Sequence, residues 1–468
     1  MLKASGQIDE TSRLSVATLA DAFSSGKMSP VEVTKTMLAR AEAVNAELNA
    51  FTMIDHEGAL AAAHASEKRW KAGVPLSSID GVPTTLKDIV YCKTLDVRYG
   101  SKATNFILDA SDAPSVSRLR NAGAVFLGLT IMPEFGWKAV TDNPKNGITR
   151  NPWNPTKTPG GSSGGAAVAA ATGAGVLHLG TDGGGSIRIP ASFTGIVGHK
   201  PSFGRIAAFP LSVFGTVAHI GPMGRTVSDV AAMLSIMSGQ DIRDWTQPPT
   251  AFPPITLQPT NWSGKRIAYW KQPCIGSVEP AIASAIEAVL SDLEISGAEI
   301  QEIKLPDQDA LLEIFYRHWY VGAASRLSSI DETLHGLLDP GFLKAARAGQ
   351  RYTAVDRMQA EIQRAQYGAK MDALLEEFDY IISPTVQISP FDAGNEVPEG
   401  KNFKTWIEWS SFSFPINLSQ QPACSVPCGF TSESLPIGLQ IIGARGDDSR
   451  VLSAALSYEH MYPNHFIK

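Results

Sequence analysis

Arg266-Ile267-Ala268-Tyr269-Trp270 is a short apolar run rich in strand-forming residues. An amphipathic helix pattern starts at Glu279, and a second strand pattern lies near Glu299 to Ile303. Strand, helix and strand in that order read as a βαβ unit, which makes the chain an α/β protein. Towards the C-terminus, helix patterns dominate from Asp307 to Glu377. Strands are then expected at Tyr380-Ile381-Ile382 and Leu439-Gln440-Ile441-Ile442, with a closing helix over Ser449 to Tyr458. Towards the N-terminus, the part up to about residue 80 reads as helical. There Ser29-Pro30 caps a helix through Val31 to Val44, and a second, alanine-rich helix covers Glu57 to Ala72. Between these ends, Thr84 to Tyr91, Ala124 to Leu129 and Val176 to Gly180 read as strands, and Ala113 to Ala122 and Ala166 to Thr172 as helices. The segment 245–262 is proline-rich between Pro248 and Pro259. With α/β patterns on both sides, it reads as a surface excursion from a single domain over 1–468 rather than a linker.

With 44% hydrophobic and 18% charged residues, the chain has the composition of a globular protein with a sizeable core. A net charge of −6, with the signs interspersed, gives no basic footprint for nucleic acid. Cys92, Cys274, Cys424 and Cys428 form no disulfide framework or zinc spacing and read as buried small hydrophobes. The start, Met1-Leu2-Lys3-Ala4-Ser5-Gly6-Gln7, lacks the apolar core of a leader, and no run is long enough to span a bilayer. No membrane association and a cytoplasmic location are therefore expected.

Chemistry concentrates in three segments upstream of the βαβ unit. Lys87 lies in Gly81-Val82-Pro83-Thr84-Thr85-Leu86-Lys87-Asp88, and Ser162 in Pro159-Gly160-Gly161-Ser162-Ser163-Gly164-Gly165. Ser186 lies in Gly180-Thr181-Asp182-Gly183-Gly184-Gly185-Ser186-Ile187-Arg188. A serine hydroxyl is a weak nucleophile and needs a base in hydrogen-bond reach. Surrounding glycines let a substrate approach the backbone and offer N–H groups to a developing oxyanion. Taken singly, each segment also has a plain structural reading: a tight glycine turn, or a solvated lysine. Gly160-Gly161-Ser162-Ser163-Gly164 satisfies the G-x-S-x-G elbow pattern, but Thr156-Lys157-Thr158-Pro159 before it is poor strand sequence. Neither glycine run continues into the Gly-Lys-Ser or Gly-Lys-Thr of a phosphate loop.

Taken together, the three segments resemble the signature of the amidase signature family. The resemblance runs from about Leu14 to near Leu452. It includes Asn151-Pro152-Trp153, Gly198-His199-Lys200-Pro201, Pro427-Cys428-Gly429-Phe430 and Leu435-Pro436-Ile437-Gly438-Leu439-Gln440. His199 stands where leucine is commoner in the family. The resemblance implies a central mixed, largely parallel sheet covered by helices on both faces. It implies that Lys87 is the base, that Ser162 relays protons from within a cis peptide, and that Ser186 attacks. It further implies an oxyanion hole from the N–H groups of Gly183, Gly184, Gly185 and Ser186, with Asp182 and Arg188 bracing the loop. Ser163 and Thr181 would support the relay, and Gly136 and Trp137 would come near the substrate pocket.

The expected function is an amidase that cuts a carboxamide, anilide or carbamate (urethane) through an acyl-enzyme, with no metal or cofactor. Its partner would be that small-molecule substrate, and a homodimer stays open. One alternative is the glutaminase component of a tRNA-dependent amidotransferase, its A chain. That component carries an acidic residue for glutamine near the stretch matched here by Trp409-Ser410-Ser411-Phe412-Ser413-Phe414-Pro415. The other is a non-catalytic binding protein on the same fold. The presumed pocket segments carry Phe135, Trp137, Phe209, Phe214, Trp406, Trp409, Phe412 and Phe414, which favours aryl substrates over small polar amides.

Overall fold

The computed structural model describes residues 10–104 and 111–463; the leader reading at Met1 to Gln7 lies outside them. Its strands in chain order are β1 (Phe51–Ile54), β2 (Pro83–Lys87), β3 (Val125–Thr130), β4 (Asp142–Asn143), β5 (Gly147–Ile148), β6 (Leu177–Asp182) and β7 (Val197–Lys200). There follow β8 (His219–Gly224), β9 (Arg266–Trp270), β10 (Glu299–Ile303), β11 (Tyr380–Pro384), β12 (Ala423–Phe430) and β13 (Pro436–Ile442). Apart from the β4–β5 ribbon, they form one 11-stranded sheet in the order β1-β3-β2-β6-β8-β7-β12-β13-β11-β9-β10. The fold is the expected mixed α/β sheet with helices. The parallel pairings form two groups, β3–β2–β6 and β11–β9–β10. Antiparallel pairings through β8, β7, β12 and β13 join the two groups, and β1 adds an antiparallel edge.

The βαβ unit is in place, with β9 and β10 parallel in the register Ile267↔Ile300 and Pro280–Ile295 as its crossover helix. Successive side chains of a strand face opposite sides of a sheet. Ile267 and Tyr269 accordingly enter one core with Ile282, Ile286 and Leu293 of the crossover helix. Ala268 and Trp270 enter the other core, with Ile314, Phe315 and Trp319 of the helix Leu311–Leu327. Both faces are thus covered by helices.

The proline-rich stretch has no regular structure from 250 to 262 and runs along the closing helix Asp448–Met461. The backbone N–H groups of Thr256, Gln258 and Thr260 donate to the hydroxyls of Ser449, Ser453 and Ser457 at 3.1, 3.1 and 2.6 Å. Two extended residues advance about 6.6 Å and four helical residues about 6 Å, so the two repeats stay in step. Asp448, at the start of the same helix, accepts from His199 Nε2 at 3.0 Å, which ties β7 to the helix through the position where leucine is commoner. Among the described residues no helix is long and apolar enough to cross a membrane.

Candidate active site

Parallel pairing brings the ends of two strands to one place. Lys87 is the last residue of β2, and Thr181 and Asp182 close β6, its parallel neighbour. The loop carrying Ser162 and Ser163 enters the same point just ahead of the all-buried helix Gly164–Thr172. That helix packs very close to neighbouring backbone: a Cβ on Gly165 would lie 2.4 Å from the Ala50 carbonyl oxygen and 2.6 Å from that of Ile131. The Gly161–Ser162 peptide is cis.

Lys87 is fully buried, and its Nζ donates to Ser162 Oγ at 2.7 Å, Ser163 Oγ at 2.8 Å and Thr181 Oγ1 at 2.9 Å. Burial lowers its pKa to about 7, against the opposing pull of Asp182. A neutral amine has only two N–H groups and one lone pair, so one of these hydroxyls must then donate to nitrogen. Ser163 is not that hydroxyl. It donates to the Thr181 carbonyl at 3.2 Å and so faces Lys87 as an acceptor. Ser162 or Thr181 is left to give a proton, and Ser162 is the nearer.

Beneath the Ser186 loop, Asp182 is buried and accepts from Gly185 N at 2.8 Å, Ile187 N at 3.2 Å and Arg188 Nε and Nη2 at 3.0 Å each. Asn417 Nδ2 adds a contact at 2.9 Å, and Arg188 Nη1 donates to Gln440 Oε1 at 2.7 Å. Burial alone would raise this carboxyl, but the Arg188 charge and hydrogen bonds hold it well below the ordinary range. Asp182 and Arg188 therefore brace the loop. One expectation is corrected: Gly185, at φ +123°, turns its N–H onto the Asp182 carboxylate and away from an oxyanion. A Cβ there would also meet that of Ser413 at 2.5 Å, so only glycine fits. Among the described residues the N–H groups of Gly183, Gly184 and Ser186 have no partner and stay available, as does the Ser186 hydroxyl.

Ser162, Thr181, Gly183 and Ser186 line a cavity of about 300 Å3, large enough for a small organic substrate. Gly136, Phe135, Phe209 and Phe214 line it too, and a Cβ on Gly136 would lie 3.4 Å from Ser162 Oγ. Trp137 does not reach the cavity. Its indole packs on Gly341, where a Cβ would meet it at 2.5 Å, and only its carbonyl touches the wall by accepting from Trp319 Nε1 at 2.8 Å. Trp406, Trp409, Phe412 and Phe414 are fully buried core residues outside the lining. The missed wall residues include Ile89, Tyr91, Tyr99, Phe203, Trp319 and Arg326. They come from separate loops and a helix face, and nothing local distinguishes Trp319 from the core residue Phe315 one turn away. The four cysteines are free thiols and none of them lines this cavity, and among the described residues no cluster fit for a metal ion occurs.

A family model described as Amidase matches residues 32–452. An acylamidase of Rhodococcus erythropolis is 33% identical over 96% of both chains. The A chain of the glutamyl-tRNA(Gln) amidotransferase of Myxococcus xanthus (strain DK1622) is also 33% identical, over 95% of this chain and 96% of its own. Among solved structures, a bacterial aryl acylamidase of the amidase signature enzymes superposes with a TM-score of 0.86 at 27% identity, covering 96% of each chain. Fold and relatives together define a hydrolase of carbon–nitrogen bonds in amides. The chain belongs to the amidase signature family.

Proposed function

We propose that the protein hydrolyses aryl amides, anilides or carbamates through an acyl-enzyme on Ser186, with Ser162 as relay and Lys87 as base. The observation that carries this reading is a buried lysine, lowered to about 7, held by hydroxyls at the floor of an apolar cavity. Neutral Lys87 takes the Ser162 proton as Ser162 takes that of Ser186. The Ser186 oxygen then bonds to the substrate carbonyl carbon, and the oxyanion faces the free N–H groups of Gly183, Gly184 and Ser186. On collapse the C–N bond breaks, and the relay returns the proton to the departing nitrogen. Water attacks the ester by the same route and releases the acid.

Ile89, Phe135, Phe209, Phe214 and Trp319 give the cavity walls that favour a ring, since burial is worth about 25 cal/mol per Å2 of apolar area. The equal identity to an amidotransferase component keeps glutamine as a second reading. Against it, Ser410, Ser411 and Ser413 are buried and donate to the carbonyls of Ile407, Glu408 and Thr385, which leaves no carboxylate there for an amino group. A panel of aliphatic amides, anilides, aryl carbamates, glutamine and allophanate tests the reading. Aryl substrates are expected to give the highest kcat/KM, and a slow ester to label the Ser186 peptide in mass spectrometry. Faster turnover of glutamine or allophanate than of every aryl substrate, or an adduct on Ser163, overturns it.

A further inference from the structure

Arg326 is the single charged residue among the described lining of the catalytic cavity, apart from the buried His219, which desolvation keeps neutral. It projects from the last turn of the helix Leu311–Leu327. Its guanidinium carbon lies 4.7 Å from the ring centre of Tyr99 and 4.6 Å from that of Phe135. Both rings line the cavity, and Phe135 precedes Gly136, the residue beside Ser162 Oγ. Among the described residues this guanidinium has no hydrogen bond and no acidic partner.

Among the described residues the three buried arginines are satisfied. Arg188 holds Asp182, Gln440 and Asn417; Arg205 holds Asp448; Arg364 holds Thr216 and the Leu418 carbonyl. The centres of the two rings lie only 6.3 Å apart, so they hold the guanidinium from one side and leave the N–H edge on the opposite side for an acceptor. A carboxylate matches that edge with two parallel hydrogen bonds. Apolar walls strengthen such a pair relative to water.

We propose that Arg326 is a specificity residue that takes a carboxylate carried by the amide substrate, remote from the bond that is cut. The proposal rests on the acyl-enzyme reading of the same cavity and adds the charge of the substrate to it. The favoured substrate is then a monoanion: an apolar amide with one carboxylate at its far end, on either the acyl or the amine side.

Two matched substrate pairs separate the sides. For the acyl side, 4-nitrosuccinanilate is compared with 4-nitrobutyranilide; for the amine side, 4-acetamidobenzoate with 4-methylacetanilide. In the wild type, the carboxylate member of at least one pair should have a kcat/KM about tenfold or more above its neutral partner, the effect of one charge-assisted contact. Arg326→Gln should bring that ratio down to about one, and Arg326→Lys, which keeps charge but loses the planar fork, should fall between. A wild-type ratio of one or less in both pairs overturns the proposal, whether or not the variants fold. So does a ratio that survives Arg326→Gln. Hydrolysis of a neutral member without any carboxylate preference sinks this inference alone. Failure to cut any member of either pair sinks the acyl-enzyme reading with it.

Discussion

Lys87 and Lys200 are each the last residue of a strand, β2 and β7, and each is fully buried. Burial lowers both, to about 7 for Lys87 and well below the ordinary range for Lys200, where the Arg188 charge adds to the effect. Their partners differ. Lys87 touches three hydroxyls, of which those of Ser162 and Thr181 are free to give it a proton. Lys200 donates to the carbonyls of Pro201 and Gln421 and lies 3.4 Å from His219 Nε2. His219 Nδ1 is 2.9 Å from the Val217 carbonyl and so carries the ring proton, which leaves Nε2 as an acceptor. Everything around Lys200 accepts. Burial shifts a lysine, but only its partners decide whether the proton can go anywhere, and a perturbed group is not by itself a catalytic one.

The sharpest way to break this contrast is to remove each lysine in turn. Lys87→Met is expected to cost roughly four orders of magnitude in kcat/KM, as loss of a member of a catalytic unit does. Lys87→Arg should be nearly as inactive, because a guanidinium does not shed its proton. Lys200→Met leaves carbonyls without a donor and should lower Tm, while kcat/KM falls less than about tenfold. Equal losses of kcat/KM in folded Lys87→Met and Lys200→Met would erase the distinction.

A finer cut separates the hydroxyls around Lys87. Ser162→Ala removes the serine that is free to donate to Lys87 and should cost about a hundredfold or more. Ser163→Ala removes an acceptor committed to Thr181 and should cost about tenfold. Steady-state kinetics that rank them the other way would move the relay to Ser163. The pH profile sharpens the same point. Ammonium cannot accept a proton, so kcat/KM should rise about tenfold per pH unit up to about 7 and level off above it. Lys200→Met should leave that inflection where it is; a displaced inflection would assign it to Lys200.

Much of this arrangement is legible in the sequence, and what is hidden has physical reasons. The strand Arg266–Trp270 is as read, and the helix expected over Glu57 to Ala72 is found at His56–Lys71, because local periodicity decides such elements. The strand expected over Thr84 to Tyr91 ends at Lys87. There the Asp88 side chain accepts from Arg98 N at 2.7 Å and Gly100 N at 2.9 Å, closing a turn over an apolar run. The central strand β8, His219-Ile220-Gly221-Pro222-Met223-Gly224, is not legible, since proline and glycine usually argue against a strand inside a sheet. Lys87, Ser162 and Ser186 are legible because short fixed motifs carry them. Tyr99, Trp319 and Arg326 are not, because only tertiary packing gathers them around one cavity. Gly185 fails as an oxyanion donor for a similarly nonlocal reason, the pull of a carboxylate that Arg188 and Asn417 hold in place.

The last effect is thermodynamic, and it reads the state of Lys87 without any substrate. Lys87 titrates near 7 when folded, against an ordinary value of 10.5. Between those values the unfolded chain binds the proton and the folded protein does not, so stability rises with pH across that window. The full contribution is present only above 10.5 and is lost as the pH falls to about 7. Lys87→Met has no such group, and the other titrations largely cancel between the two proteins. The stability of the wild type relative to Lys87→Met should therefore climb with pH between about 7.5 and 9.5, by at most about 1.4 kcal/mol per unit. Urea denaturation at several pH values measures it. A difference that stays flat across this window would mean that folded Lys87 keeps its ordinary pKa. It would then be a buried ammonium held by three hydroxyls, with no more claim to the role of base than Lys200.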